Sequence, residues 1–234
     1  MKFNRSKPLL AITNQSGLVT DEEIASYIPA LQRQITEHFE PAWGIGAQLV
    51  FVKGKPPRNA YQIIVMDEAK EAGYIGYHFH ENGYPVANIF AKEDLSDDKT
   101  VSDTLSHEIL EMIVDPAVNL YAYRPAGRGR RERGYFYEVC DPVQCVHYKI
   151  DGVKVINFVY PEWYEYVWPK GSRKFDHLGK LCEPFEILAG CYADVREAGA
   201  GWKTIWGSKP RVRKQRRVFT RVGNDQKNRV RKSR

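Results

Sequence analysis

The 234-residue chain is poor in cysteine. Its four cysteines are Cys140, Cys145, Cys182 and Cys191, so four residues separate the first two and eight separate the last two. Neither spacing matches a zinc finger or a zinc ribbon. Ordinary buried thiols are expected in a chain of this size, because a disulfide between the two pairs would require an oxidising compartment.

Long apolar runs are also lacking. No stretch approaches 18 consecutive apolar residues, which excludes a membrane-spanning helix. The amino terminus begins with basic residues, but its apolar run over 8–12 is too short for a signal-peptide core and no small-residue cleavage site follows closely. We therefore expect no signal peptide, no membrane partner, and a chain that stays in the cytoplasm or is carried in a phage particle.

Acidic residues are scarce in one place only. Residues 209–234 contain 12 lysines and arginines against a single acid, Asp225. Subtracting them from the totals of 35 basic and 29 acidic residues leaves 23 and 28, so the body is mildly acidic although the whole chain carries +6. We predict a domain over 1–208 and a basic C-terminal arm over 209–234.

The arm allows three interpretations: a solvated disordered segment, a nucleic-acid contact that neutralises phosphates, and a contact with an acidic protein surface. Basic residues alternate there with valine and phenylalanine, which favours an anionic partner. The candidate contact residues are Arg211, Arg213, Lys214, Arg216, Arg217 and Arg221.

The order of predicted elements indicates an α+β fold in which helices pack on a mixed β-sheet. Hydrophobic periodicity and turn signals predict strands over 9–14, 47–52 and 60–66, a helix over 21–39 ended by Pro41, a hairpin over 73–91 and a helix over 100–115. Further strands are predicted over 119–123 and 135–140, and a second hairpin turns at Asp151-Gly152.

The hairpin over 73–91 carries polar aromatic side chains. Asn82-Gly83 is a strong signal for its two-residue turn. His78 and His80 are two residues apart and therefore share one face of a regular strand. Either a solvated face or a substrate-binding face fits this pattern, and Tyr77, His78 and His80 are the candidates for contacting a substrate and stabilising an oxyanion.

The helix over 100–115 combines a complete apolar side with a charged side. Thr100 and Asp103 can cap its first turn. His107, Glu111 and Asp115 recur at every fourth position on the charged side, and Glu108 stands at its edge. Carboxylates at this spacing repel one another, and a bound divalent cation relieves the repulsion. A surface helix with an incidental His-Glu pair is the alternative.

His107-Glu108-x-x-Glu111 differs in one residue from the His-Glu-x-x-His motif of zinc peptidases. In that motif the residues at i and i+4 bind the metal, and the glutamate next to the first histidine is the general base. The carboxylate of Glu111 in the second ligand position makes the predicted site harder, so manganese or calcium becomes an alternative to zinc. A third ligand must come from elsewhere, and Asp141, with Glu138 close behind, is the best candidate.

The two blocks SHEILEMIVDP and EVCDP together resemble a zincin-like metallopeptidase pattern. They are similar to motifs of the plant phosphate-induced protein 1 (EXORDIUM-type) family and of uncharacterised bacterial and phage proteins, over roughly 40 residues plus a compatible strand order. The resemblance implies that His107 and Glu111 bind one divalent metal, zinc first, and that Glu108 is catalytic. It also implies that Glu138 and Asp141 form the second block. The chain departs from true zincins because Glu111 replaces the second histidine.

Two functions follow as hypotheses. The first is a metal-dependent peptidase acting on peptides or proteins, with Asp115 supporting the ligands from the end of the helix. The second is a structural or assembly protein, such as a phage virion component, with a vestigial or structural metal site and an arm that binds nucleic acid or other subunits.

Overall fold

The computed structural model describes residues 7–69, 75–96, 100–127, 131–197 and 201–207. These residues form two compact units. The first contains 7–118 together with Lys149–Val155, and the second contains Asn119–Tyr148 and 156–207. The single domain over 1–208 stays a prediction, and its predicted boundary near 208 lies at the edge of the described residues.

A five-stranded mixed sheet is the centre of the first unit. Its strands are β1 (Leu9–Asn14), β2 (Gln48–Phe51), β3 (Tyr61–Met66), β4 (Gly76–Glu81) and β5 (Tyr84–Phe90), in the spatial order β2-β1-β3-β5-β4. The first four strands of this order are parallel, and β4 runs antiparallel to β5 at the end of the sheet. Together with the packed helices this confirms the predicted α+β class with a mixed sheet.

The predicted helix over 21–39 is longer than expected. Helix α1 spans Asp21–Arg33, continues as a π-helical segment over Gln34–Phe39, and ends as the short helix α2 over Glu40–Trp43. The prediction that Pro41 ends the helix was wrong, because proline fits the first turn of α2, where no backbone N–H is required. Gly44, in the left-handed conformation with φ of 67°, is the actual end.

The hairpin of β4 and β5 confirms the predicted turn. Asn82 and Gly83 both have positive φ, 49° and 88°, which a type I′ turn requires. Asp151 and Gly152 repeat this conformation between β8 (His147–Ile150) and β9 (Val153–Ile156). Arg33 of α1 pairs with Asp151 at 2.5 Å, in agreement with the assignment of this turn to the first unit.

Two more helices complete the first unit: α3 (Ala91–Ser96) and α4 (Val101–Val114). Helix α4 confirms the helix predicted over 100–115 and packs against β4, β5, α1 and α3. Among the described residues, no helix is both long and apolar enough to cross a bilayer.

The second unit is built on a four-stranded antiparallel sheet. Its strands are β6 (Tyr121–Arg124), β7 (Arg133–Phe136), β10 (Tyr192–Glu197) and β11 (Gly201–Trp206), in the order β11-β10-β7-β6. Strand β7 is shorter than the predicted strand over 135–140, and its continuation leads into a 3₁₀ turn over Asp141–Val143. Trp163 packs edge-on against Tyr135 in the core of this unit.

In the second unit a disulfide joins Cys145 to Cys191, which are 46 positions apart in the sequence. The expectation of ordinary buried thiols was therefore wrong for these two residues. The bond takes one cysteine from each of the two sequence pairs, which is the alternative that an oxidising compartment would allow. Cys140 is buried, as expected, and Cys182 is exposed.

Candidate metal centre

Helix α4 is buried on every side. All of its 14 residues are buried, including His107, Glu108 and Glu111. The backbone N–H of Thr100 donates to Asp103 at 3.3 Å and closes the first turn, as predicted. A surface helix with an incidental His-Glu pair is therefore excluded, because the charged side is as buried as the apolar side.

Polar contacts hold α4 in place within the first unit. Thr104 Oγ1 donates to Asp94 Oδ1 of α3 at 2.6 Å. Ser106 Oγ donates to Gln34 Oε1 of the π-helical segment at 2.7 Å. Both bonds are buried, so breaking either one leaves a polar group that must be desolvated without a partner. They fix the rotation of the helix and with it the direction of the next residue, His107.

His107 and Glu111 meet one helical turn apart. His107 Nε2 lies 3.1 Å from Glu111 Oε2, as the i,i+4 spacing allows. Each offers a metal-ligand atom, and these atoms lie within 4.8 Å of each other. The helix therefore brings together the two residues that the sequence predicted as ligands.

His78 reaches the same place from β4. It pairs with Ala87 of β5 in the antiparallel ladder and is 2% exposed. Its Nδ1 is hydrogen-bonded to Glu108 Oε2 at 3.0 Å and lies 3.8 Å from Glu111 Oε2. The sequence predicts His78 as a substrate contact, whereas the structure places it beside the carboxylates of Glu108 and Glu111.

The carboxyl group of Glu108 is buried, with 1% of the residue exposed. Burial raises the pKa of its carboxyl group to about 7, and the nearby His107 acts in the opposite direction. Its Oε1 has no hydrogen-bond partner in the described part of the chain. A carboxyl group with this pKa can both accept and return a proton near neutral pH, which is what a general base needs.

Gly76 makes room for Glu108. A methyl group on Gly76 would lie 2.8 Å from Thr104 Cγ2 and 3.1 Å from Glu108 Oε1. Only glycine therefore lets β4 approach α4 closely enough for His78 to reach the Glu108 carboxylate. Sequence reasoning missed this residue, and the glycine at the start of the strand pattern was the available signal.

We name His78, His107, Glu108 and Glu111 the helix–strand cluster. Its donor atoms suit a divalent cation. Imidazole nitrogens and carboxylate oxygens are zinc and manganese ligands. The Glu108 oxygen that lacks a partner shows that the polar atoms of the cluster are not all satisfied by the described residues alone. A cation would also compensate the negative charge that two buried carboxylates bring.

The other predicted site residues of the first unit are Asp115, Tyr77 and His80. Asp115 is buried at the C-terminal end of α4, where its N–H donates to Glu111 O at 2.8 Å and its own carbonyl accepts from Val118 at 3.0 Å. Tyr77 and His80 are half-buried on β4. The Tyr77 hydroxyl accepts a hydrogen bond from Asn88 at 3.2 Å, so it is held to the neighbouring strand.

Glu138 and Asp141 belong to the second unit. Both are buried, Glu138 just beyond β7 and Asp141 at the start of the 3₁₀ turn. Neither residue lies in a regular strand, because β7 ends at Phe136. Their predicted role as metal ligands stays a prediction.

The six predicted contact residues of the basic arm lie outside the described residues, as does the whole of 209–234.

Comparison of the chain with protein-family models, with curated proteins and with solved structures finds no match.

Proposed function

We propose that the protein is a metal-dependent hydrolase that cleaves peptide bonds, with the helix–strand cluster as its centre. One observation carries the proposal: two histidines and two glutamates meet in the interior. They lie on a helix that buried hydrogen bonds hold in place and on the strand packed against it. Such side chains do not stabilise a hydrophobic core, since burying a carboxylate costs several kcal/mol of folding free energy unless it is paired or protonated.

His107 and Glu111 are the residues that would hold the cation in this proposal. A divalent cation supplies Lewis-acid activation of a water molecule and of the scissile carbonyl group. Glu108 takes the proton from the attacking water and gives it to the leaving amine, and its raised pKa suits both transfers at neutral pH. Burial of the cluster strengthens each of these electrostatic interactions.

The proposed substrate is an extended peptide. Strand β4 is the end of the five-stranded sheet, and among the described residues it pairs with β5 alone. A terminal strand offers a row of backbone donors and acceptors to a peptide in extended conformation. His80 and Tyr77 lie on the strand that carries His78, so a peptide paired with β4 would pass next to the cluster.

The alternative, a structural or assembly role with the site retained as a structural metal centre, predicts metal binding without hydrolysis. The predicted partner of the basic arm, nucleic acid or an acidic protein surface, belongs to both functions and does not separate them. Asp141 and Glu138 stay candidates for a further ligand under both.

The decisive experiment measures metal and hydrolysis on the same samples. Purified protein is assayed for bound metal by elemental analysis and for cleavage of a fluorescently labelled unfolded protein. Three variants accompany it: His107→Ala, Glu108→Gln, and Glu68→Gln as a matched control, because Glu68 is an exposed glutamate in the loop after β3.

We expect metal in the wild type, in Glu108→Gln and in Glu68→Gln, and its loss in His107→Ala. Cleavage should disappear in Glu108→Gln and His107→Ala and survive in Glu68→Gln. A wild type that binds no divalent metal contradicts the proposal. Metal without cleavage in any sample supports the structural alternative.

A further inference from the structure

We propose that the open face of the four-stranded sheet in the second unit binds single-stranded nucleic acid. Bases stack on Tyr121 and Tyr123, and Arg196 contacts a phosphate. The inference goes beyond the proposed function and does not depend on a bound cation. It gives nucleic acid a contact on the folded part of the chain, in addition to the basic arm.

The two faces of this sheet differ in exposure. Tyr135 of β7 and Val195 of β10 lie opposite each other and are 1% and 0% exposed, and Tyr135 packs against Trp163. Tyr121 and Tyr123 of β6 are 46% and 52% exposed. Being two residues apart, these tyrosines share one side of their strand. One face of the sheet therefore belongs to the core, and the other presents aromatic rings to solvent.

The strand register extends the open face across all four strands. Directly opposite residues of an antiparallel ladder point to the same face. Tyr123 lies opposite Gly134 of β7, which in turn lies opposite Arg196 of β10. Arg196 is opposite Trp202 of β11, and its guanidinium carbon lies 5.8 Å from the centre of that ring. We name Tyr121, Tyr123, Arg196 and Trp202 the aromatic face.

A cleft opens on the aromatic face at Gly134, where β7 has no side chain. A methyl group on Gly134 would lie 2.6 Å from Cδ2 of Tyr121, so any larger residue would displace this ring. The cleft has a volume of about 160 Å³, close to the roughly 150 Å³ that accommodate one benzene ring. It is lined by Tyr121, Tyr123, Glu132, Arg133, Gly134 and Arg196. Its size and its aromatic wall therefore suit one flat ring, such as a nucleobase.

The charges around the cleft suit an anion beside that ring. Arg133 is paired with Glu197 at 2.6 Å. Tyr123 donates a hydrogen bond to Glu132, which raises the pKa of the tyrosine hydroxyl. Within the described ranges, no salt bridge joins Arg196 to an acid, and its guanidinium group lies over Trp202. The charge of Arg196 is therefore available to a phosphate.

Two features favour single-stranded nucleic acid over other anions. Unpaired bases expose their ring faces, and they stack on the aromatic side chains of a sheet with little dependence on sequence. The basic arm over 209–234, with 12 lysines and arginines against one acid, follows β11 of this sheet in the sequence. Its charges can neutralise further phosphates of the same strand.

The experiment measures binding of the full chain to a fluorescently labelled oligothymidylate by anisotropy. Tyr123→Ala should weaken binding by about 5- to 100-fold, as the loss of one stacked base typically does, and Tyr123→Phe should bind like the wild type. Arg196→Gln should reduce the slope of log affinity against log salt concentration by about 0.7, the contribution of one phosphate contact on a single strand. Tyr166→Ala is the matched control, because Tyr166 is an exposed tyrosine of the same unit outside the sheet.

The basic arm is present in every sample, so its contribution cancels in these comparisons. Affinities of Tyr123→Ala and Tyr166→Ala that are equal overturn the inference, as does a wild type that binds no single strand. Tighter binding to a duplex than to the single strand also overturns it and points to the arm alone.

Circular dichroism checks that the variants fold. If Tyr123→Ala does not fold, the wild type decides the question with a strand of the same length and charge that lacks bases. Weaker binding to the abasic strand, together with an ultraviolet cross-link of the oligothymidylate to β6, supports the inference. Equal affinity for the two strands, or cross-links confined to 209–234, overturns it.

Discussion

Burial of Glu108 predicts an unusual pH dependence for the metal-free protein. The folded-state pKa of this carboxyl group is raised to about 7 from its ordinary value of 4.5, and burial is the main cause. A carboxyl group with a raised pKa contributes its full stability below pH 4.5, where both states are protonated. That stability is lost as the pH rises through 7, because the folded state then has to hold a buried charge.

The size of the effect follows from the shift. A difference of one pKa unit corresponds to about 1.4 kcal/mol, so this residue should lower the free energy of unfolding by about 3 kcal/mol between pH 4.5 and pH 8. Other carboxylates titrate in the same range, so the comparison must isolate Glu108. Glu108→Gln is nearly isosteric and cannot ionise, which makes it the matched variant.

The assay is urea unfolding in the presence of a chelator, at intervals from pH 4.5 to pH 8, for the wild type and Glu108→Gln. We expect the stability of Glu108→Gln relative to the wild type to increase by about 3 kcal/mol across this interval, with most of the change between pH 5 and 7. Parallel curves for the two proteins would refute the reasoning, since they would show that Glu108 titrates alike in the folded and unfolded states. A saturating divalent cation should reduce the difference.

Three further predictions concern other parts of the chain. Gly76→Ala should destabilise the fold by about 1–3 kcal/mol in thermal unfolding. Adding Thr104→Ser removes the methyl group 2.8 Å away and should recover part of the stability, but not peptide cleavage, because the contact with Glu108 Oε1 at 3.1 Å persists. Full recovery of stability and of cleavage would contradict the positioning role of Gly76. Replacing Cys145 and Cys191 with serine should cost about 2–4 kcal/mol in urea unfolding, as expected for a loop of 46 residues, and a change below 1 kcal/mol would contradict it. Removing 209–234 should weaken binding to DNA and flatten its dependence on salt concentration, and an unchanged affinity would exclude the arm as a nucleic-acid contact.

Much of the local structure could be predicted from short stretches of sequence. Asn82-Gly83 determines a tight turn because both positions need positive φ, and the structure has it. Thr100 and Asp103 mark the start of α4 through the first free N–H groups of the helix. Pro41 was misjudged because proline is as suitable for the start of a helix as for its end.

The candidate centre was predictable only in part. The sequence by itself determined that His107 and Glu111 lie one turn apart on α4, because 3.6 residues per turn brings i and i+4 together. The periods of the single elements also place Glu108 next to His107 and put His78 and His80 on one face of a regular strand. The role of Glu108 as a base is instead a prediction from the likeness of the motif to that of zinc peptidases.

Only the tertiary structure decided that His78 of β4 meets Glu108 of α4, across 30 residues of chain. It likewise decided that every side of α4 is buried, which raises the pKa of Glu108, and that Gly76 makes room for the carboxylate. The physical reason is common to all three. Burial and contact between elements depend on how closely a sheet and a helix pack. The periodicity of a helix or a strand does not specify the distance between the two elements.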